Sequence, residues 1–168
     1  YVDSAIDLGT KSELLSALKE ASVQAKGKVG EYEALVNKTV DLNAKLAAER
    51  DKLVSSAKVF MDSCDAFTAS QNKEIDSEID AKAAPEKLKE SVAKLDGVGE
   101  IMDLGNNVRI AAWMSQAQRD PKIIQDAQPL FDEMNKKFEA LTLLTHDDAN
   151  LKLIADTKTA ADSYKTAM

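Results

Sequence analysis

The chain has 168 residues, enough for one domain with a real core and too few to require two. Three prolines, six glycines and 5% aromatic residues, against an abundance of Ala, Lys, Glu, Asp and Leu, describe long helices with slender aliphatic seams rather than sheets. A net charge of −7 and a pI near 4.8 exclude a nucleic-acid partner, because no basic cluster can neutralise several phosphates in a row. They also remove any electrostatic attraction to an anionic membrane surface.

A lone cysteine, Cys64, cannot form an internal disulfide or a cysteine-based zinc site. No 18-residue apolar run is present to span a bilayer. The chain opens at Tyr1, without methionine or signal peptide, and reads as a piece of something longer. The expected architecture is an all-α, elongated, antiparallel up-down bundle of four helices, with one very long N-terminal helix. The four helices are expected over about 11–79, 85–118, 121–143 and 147–168, forming one domain over 1–168.

The first helix is expected to start at Thr10-Lys11-Ser12-Glu13, a capping box whose side chains would satisfy orphan amides. Gly27 and Gly30 weaken the helix without necessarily ending it. A stripe then runs Leu46, Arg50, Leu53, Ala57, Phe60, Cys64, Phe67 and Gln71, alternating four and three as a coiled-coil seam does. Unbroken to Ile79, this helix would be roughly 100 Å long at 1.5 Å per residue.

Pro85 biases its predecessor away from helix and suits a first helical turn, which places a hairpin over Asp80–Ala84. The second stripe is Leu88, Leu95, Val98, Met102, Gly105, Arg109, Ala112 and Gln116. Asp120-Pro121 supplies the next start signal, and Ile124, Ala127, Phe131, Met134, Phe138 and Leu141 make the third stripe, with Pro129 kinking its early part. Thr145-His146-Asp147-Asp148 opens a fourth helix carrying Leu151, Ile154, Ala161 and Tyr164. A weak echo relates Thr10-x-x-Glu13 before Tyr32 to Thr145-x-x-Asp148 before Tyr164, as in a duplicated helical module.

Catalytic patterns are missing. His146 is the one histidine and belongs to a capping segment, its acidic neighbours being too close in sequence to converge on a metal. No Glu-x-x-His pair is present for a di-iron bundle, and no nucleophile-elbow, Walker or dinucleotide fingerprint occurs. Cys64, on an apolar stripe, reads as a small core residue. No enzyme activity, cofactor or metal is expected.

Two seam arginines stand out. Arg50 falls between Leu46 and Leu53, and Arg109 between Met102 and Ala112, where a seam favours apolar residues. A buried, unpaired guanidinium costs several kcal/mol, so each needs a partner or water. With a hairpin centred near residue 80, Arg50 faces Arg109, Leu46 faces Trp113 and Asn43 faces Gln116. Two facing guanidiniums favour an anion between them, and arginine grips a carboxylate with paired hydrogen bonds. Asn43, Asn106 and Gln116 would engage the rest of a small organic acid. In the alternative, Arg50 snorkels outward to an acidic side chain on another helix.

The segment Asp103-Leu104-Gly105-Asn106-Asn107-Val108-Arg109-Ile110-Ala111-Ala112-Trp113, followed by Arg119-Asp120-Pro121, the Leu141–Thr145 turn and Tyr164, resembles the helical bimodular sensor domains of bacterial chemoreceptors and sensor kinases. The resemblance implies an extracytoplasmic (periplasmic) part of an inner-membrane receptor, anchored by transmembrane segments outside this chain. It further implies a homodimer that binds a small carboxylate in the bundle core and relays a helix displacement. By position, Arg109 would be the carboxylate ligand of the second module. Two departures accompany it: the first module's arginine-bearing helix would precede Tyr1, and Pro129 stands where the family keeps regular helix. The other reading is a coiled-coil scaffold for a protein partner, which predicts exposed apolar residues on the long helix and no core cavity.

Overall fold

The computed structural model describes residues 1–168, and the chain is all-α. Six helices follow in order: α1 (Val2–Lys11), α2 (Ser16–Asp80), α3 (Pro85–Gln118), α4 (Lys122–Ala127), α5 (Pro129–Leu144) and α6 (Asp148–Ala167). A 3-10 turn over Glu13–Leu15 joins α1 to α2. The chain divides into two compact units, Tyr1–Ala48 and Glu49–Met168.

In the first unit α1 folds back on the start of α2. A methyl group on Gly9 would lie 2.6 Å from Cβ of Lys19, so the two helices touch where only hydrogen fits. The expected capping box at Thr10 is not formed. Thr10 lies inside α1, and its hydroxyl donates to the Ile6 carbonyl at 2.8 Å, the back-bond open to a helical threonine. Ser12 instead takes an extended conformation and breaks the expected helix over 11–79. Gly27 and Gly30 do not interrupt α2, whose 65 residues run through both.

The second unit is an up-down bundle of four helical arms: α2 from Glu49, α3, α4 with α5, and α6. The α2–α3 turn falls where Pro85 placed it, with Pro85 in the first turn of α3 and Lys82 in the left-handed region at φ 55°. Neighbouring arms run antiparallel. Glu78 pairs with Lys87 at 3.4 Å across α2 and α3, Glu100 with Lys137 at 2.6 Å across α3 and α5, and Asp132 with Lys165 at 3.0 Å across α5 and α6. The ring closes where Ser70 donates to Asn150 and Thr157 reaches the Ser63 carbonyl, between α2 and α6.

The seams supply the core. On α2, Leu53, Ala57, Phe60, Cys64, Phe67 and Gln71 are buried, as the four-three stripe predicts, while its first two positions, Leu46 and Arg50, are exposed. Phe131, Met134, Phe138 and Leu141 follow on α5, with Ile154, Ala161 and Tyr164 on α6. Each fully buried large apolar side chain contributes about 1.5–3 kcal/mol relative to exposure.

On α3 the outcome differs from the expected stripe. The buried positions are Ser91, Lys94, Val98, Ile101, Gly105, Val108, Ala112 and Ser115. Val98, Gly105 and Ala112 are shared with the stripe, but Ile101 and Val108 take the places given to Met102 and Arg109. The cause is that α3 has two neighbours. Thr68 on α2 meets Met102, whereas Leu141 on α5 crowds Gly97, so the buried face is rotated from the line a single seam would draw. Polar Ser91, Lys94 and Ser115 on that face are invisible to a hydrophobic pattern.

The third arm is also corrected. A helix over 121–143 with a kink becomes two helices, α4 and α5, broken at Gln128 ahead of Pro129, which lacks the N–H to continue the ladder.

Candidate functional site

A cleft of about 600 Å³ opens in the second unit, at the end of the bundle away from the α2–α3 turn. Its lining comes from three helices: Arg50, Asp51, Leu53, Val54, Ala57, Lys58 and Met61 on α2, Arg109, Ala112, Trp113 and Gln116 on α3, and Tyr164 on α6. The four-three repeat of α2 sends Leu53 and Ala57 into the wall, both 8% exposed, and leaves Arg50 one turn above them in water. On α3, Ala112 is buried at 4% while Trp113, the next residue round, is 59% exposed at the rim.

The floor is aromatic. Tyr164 is 1% exposed and packs edge-on to Phe131, with centroids 5.6 Å apart at 83°, and tilted against Phe60 at 6.1 Å. Burial pushes its phenol up to about 12, against the opposing field of the Arg109 guanidinium. Arg109 and Tyr164 line the same cleft.

The two arginines differ from the expectation that put them in the seam. Both are exposed, because Val108 takes the buried position on α3 and the α2 core starts at Leu53. The facing register also shifts. A hairpin centred at residue 80 would put Val54 opposite Gly105, whereas Phe60 stands there, closing on Gly105 so tightly that any Cβ would collide with its ring. Arg50 and Arg109 therefore do not face each other directly, yet they share one cleft. Neither takes part in an ion pair, while Lys58 is already held by Asp62 at 2.6 Å.

Of the six residues singled out in the sequence, the cleft gathers Arg50, Arg109, Trp113 and Gln116. Asn106 is not among its lining; its Oδ1 is buried without a partner. Asn43 lies in the first unit and is exposed, as is Leu46, so the Asn43–Gln116 layer is no part of this site. Sequence reasoning missed Lys58, Met61 and Asp51, which have no distinguishing pattern, and it assigned Tyr164 to the core without seeing that it also floors a cleft.

Chemically, the cleft offers two unpaired guanidiniums, the Asp51 carboxylate, the ion-paired Lys58, an amide and a largely apolar wall. Its lining contains no Ser, Thr, Cys or His side chain. Cys64 is fully buried away from it, and burial, with Asp65 beside it, pushes the thiol up to about 12, so it stays a neutral packing group. No three His, Cys, Asp or Glu side chains converge to hold a metal ion.

A second polar feature lies near the α2–α3 turn. Asn150 donates through Nδ2 to Glu74 at 2.8 Å and to Asp147 at 2.9 Å, tying the start of α6 to α2. Lys94, 3% exposed, reaches Glu90 at 3.0 Å and holds that carboxyl below its usual range. These groups satisfy one another and act as a joint rather than a pocket.

No helix is long and apolar enough to cross a membrane. No protein-family model matches the chain, and neither a curated protein nor a solved structure matches it significantly.

Proposed function

We propose that the bundle of residues 49–168 is a sensor module that binds a small organic carboxylate in the cleft between α2, α3 and α6. The observation that carries this reading is the meeting of Arg50 and Arg109, both free of ion pairs, with Gln116 and Trp113 on one concave surface. A carboxylate there would receive paired hydrogen bonds from a planar guanidinium and complete the charge balance of the cleft. Arg109 is the principal ligand in this reading, because the sequence resemblance puts the carboxylate-binding arginine at that position and it lines the cleft.

The wider setting rests on the sequence resemblance: an extracytoplasmic domain of a bacterial transmembrane chemoreceptor. In that setting the ligand bridges α2 and α3 and biases a small displacement of one helix past another, a movement that stiff helices carry to the membrane. The homodimer belongs to the same proposal.

A scaffold reading has one observation in its favour. On α2, within the first unit, Val29, Tyr32, Leu35, Val40, Leu42 and Leu46 are all more than half exposed, as a helix offered to a protein partner would be. The same residues would serve a second copy equally well. The cleft is what the scaffold reading does not call for.

Thermal unfolding of the chain against sodium acetate, succinate, malate, citrate and benzoate separates the two. A ligand at ~100 times its dissociation constant adds roughly 2.7 kcal/mol of stability. The sensor reading expects a saturable rise in midpoint with at least one acid, abolished by Arg109→Ala. If the midpoint is indifferent to every acid, the scaffold reading takes its place.

A further inference from the structure

We infer that the anion this cleft takes is a monocarboxylate with a flat or cyclic apolar body, such as an aromatic acid, rather than a short dicarboxylate. The inference rests on the reading of the cleft as a carboxylate site and narrows it by charge, size and surface.

Charge comes first. Three cations line the cleft, Arg50, Lys58 and Arg109, against one carboxylate, Asp51. Lys58 already spends its charge on Asp62. What remains is two guanidiniums and the Asp51 carboxylate, a balance of about one positive charge. One carboxylate neutralises it, whereas a second would face Asp51 with no cation left over.

Size points the same way. Ligand pockets run from about 300 to 1,000 Å³, so a cleft of about 600 Å³ is matched to a ligand larger than acetate or succinate. A two- to four-carbon acid held at the guanidiniums would leave water against Leu53, Ala57, Met61 and Ala112. A ring extending from the carboxylate would cover that wall and gain the hydrophobic term.

Surface completes the case. Trp113 is a large aromatic plane 59% exposed at the rim, and Tyr164 presents a second aromatic ring in the floor. Rings of this kind favour stacked or edge-on partners. Apart from the charged groups, the lining offers only Gln116, the Tyr164 hydroxyl and the Trp113 indole N–H as polar groups, too few for a highly hydroxylated ligand.

Trp113 is the single tryptophan of the chain, so its fluorescence reports on the cleft directly. Fluorescence and calorimetric titrations would compare benzoate and cyclohexanecarboxylate with acetate, succinate and uncharged benzyl alcohol, at fixed pH and ionic strength. Benzoate and cyclohexanecarboxylate are expected to bind at least tenfold more tightly than acetate or succinate, and benzoate at least tenfold more tightly than benzyl alcohol. Trp113→Ala, exposed and so compatible with the fold, should weaken benzoate about tenfold by calorimetry. Succinate or acetate binding as well as benzoate would overturn the inference while leaving the carboxylate site standing, and so would undiminished benzoate binding by Trp113→Ala. Benzyl alcohol matching benzoate would remove the carboxylate from the recognition. Absence of binding by all five would bring down both readings together.

Discussion

Gly105 sits on α3 where the Phe60 ring of α2 closes against its backbone, and a methyl group built there would collide with Cε1 of that ring. Phe60 is fully buried and cannot swing aside without opening the core around Tyr164 and Cys64. Gly99, six residues earlier on the same helix, has nothing within 4 Å of an added Cβ. Two identical substitutions should therefore act in opposite directions. Gly105→Ala is expected to lose about 1–3 kcal/mol through overpacking, and Gly99→Ala to gain about 0.5–1 kcal/mol from helix propensity. Urea unfolding of the two variants checks this, and equal midpoints would mean that Phe60 does not pack as described. Nothing in the stripe distinguished Gly105 from the other glycines, since its role depends on which side chain stands opposite. The same limit applied to Arg109, whose place in the hydrophobic repeat is real but whose burial is decided by the second neighbour of α3.

Helix ends show where local chemistry is legible. The α6 start was visible in Thr145-His146-Asp147-Asp148, and the cap is Asp147, which accepts from the Asn150 backbone amide at 2.7 Å. Thr145 instead closes α5 by donating to the Leu141 carbonyl. Asp120, read as a cap with Pro121 opening the helix, accepts from the Lys122 amide at 2.9 Å, but α4 begins one residue later than expected, at Lys122, with Pro121 in the N-cap position. For Asp147, burial pushes the carboxyl up, but the backbone and side-chain hydrogen bonds of Asn150 outweigh it, and the net shift is downward from 3.8. A lowered folded value means stability that is present above the ordinary value and lost as pH falls through the folded one. Asp147→Ala should cost about 1 kcal/mol at neutral pH. The gap between wild type and variant should narrow below about pH 4, where the wild-type carboxyl takes up its proton. Urea midpoints at pH 7 and pH 3 measure it, and a gap that widens in acid would contradict the assignment.

On the scale of the whole molecule, the two units differ in what holds them. In Tyr1–Ala48 only Gly9 and Ser22 are buried, and the ion pairs there, such as Lys28 with Glu31, are exposed and worth little. The second unit carries the aromatic and aliphatic core. Because helices shorter on contacts open more readily than packed ones, the amides of α2 should not exchange uniformly. Hydrogen exchange on the intact chain is expected to run orders of magnitude faster over residues 16–48 than over 53–78, within one continuous helix. Protection of equal strength along all of α2 would mean that the first segment is covered in solution, by a second copy or by another partner. Gly27 and Gly30, both in open surroundings, add to the local weakness without breaking the helix.

By itself the sequence determined the helical class, the turn ahead of Pro85, a disturbance of the helix near Pro129 and the buried face of α5 and of α2 from Leu53 onward. These follow from proline geometry, capping residues and a repeat of three and four, all of which act within a few neighbouring residues. Tertiary structure decided which face of α3 is buried, where the α2–α3 register falls and which polar residues share a cleft. Those depend on side chains far apart in sequence. Each arm of the four-helix bundle touches more than one neighbour, so its buried face is a sum that no single repeat contains. Arg50 and Arg109 are the clearest instance. Their placement among apolar residues marked them as unusual, but only packing could bring them, exposed and free of ion pairs, to the rim of one cleft with Trp113 and Tyr164.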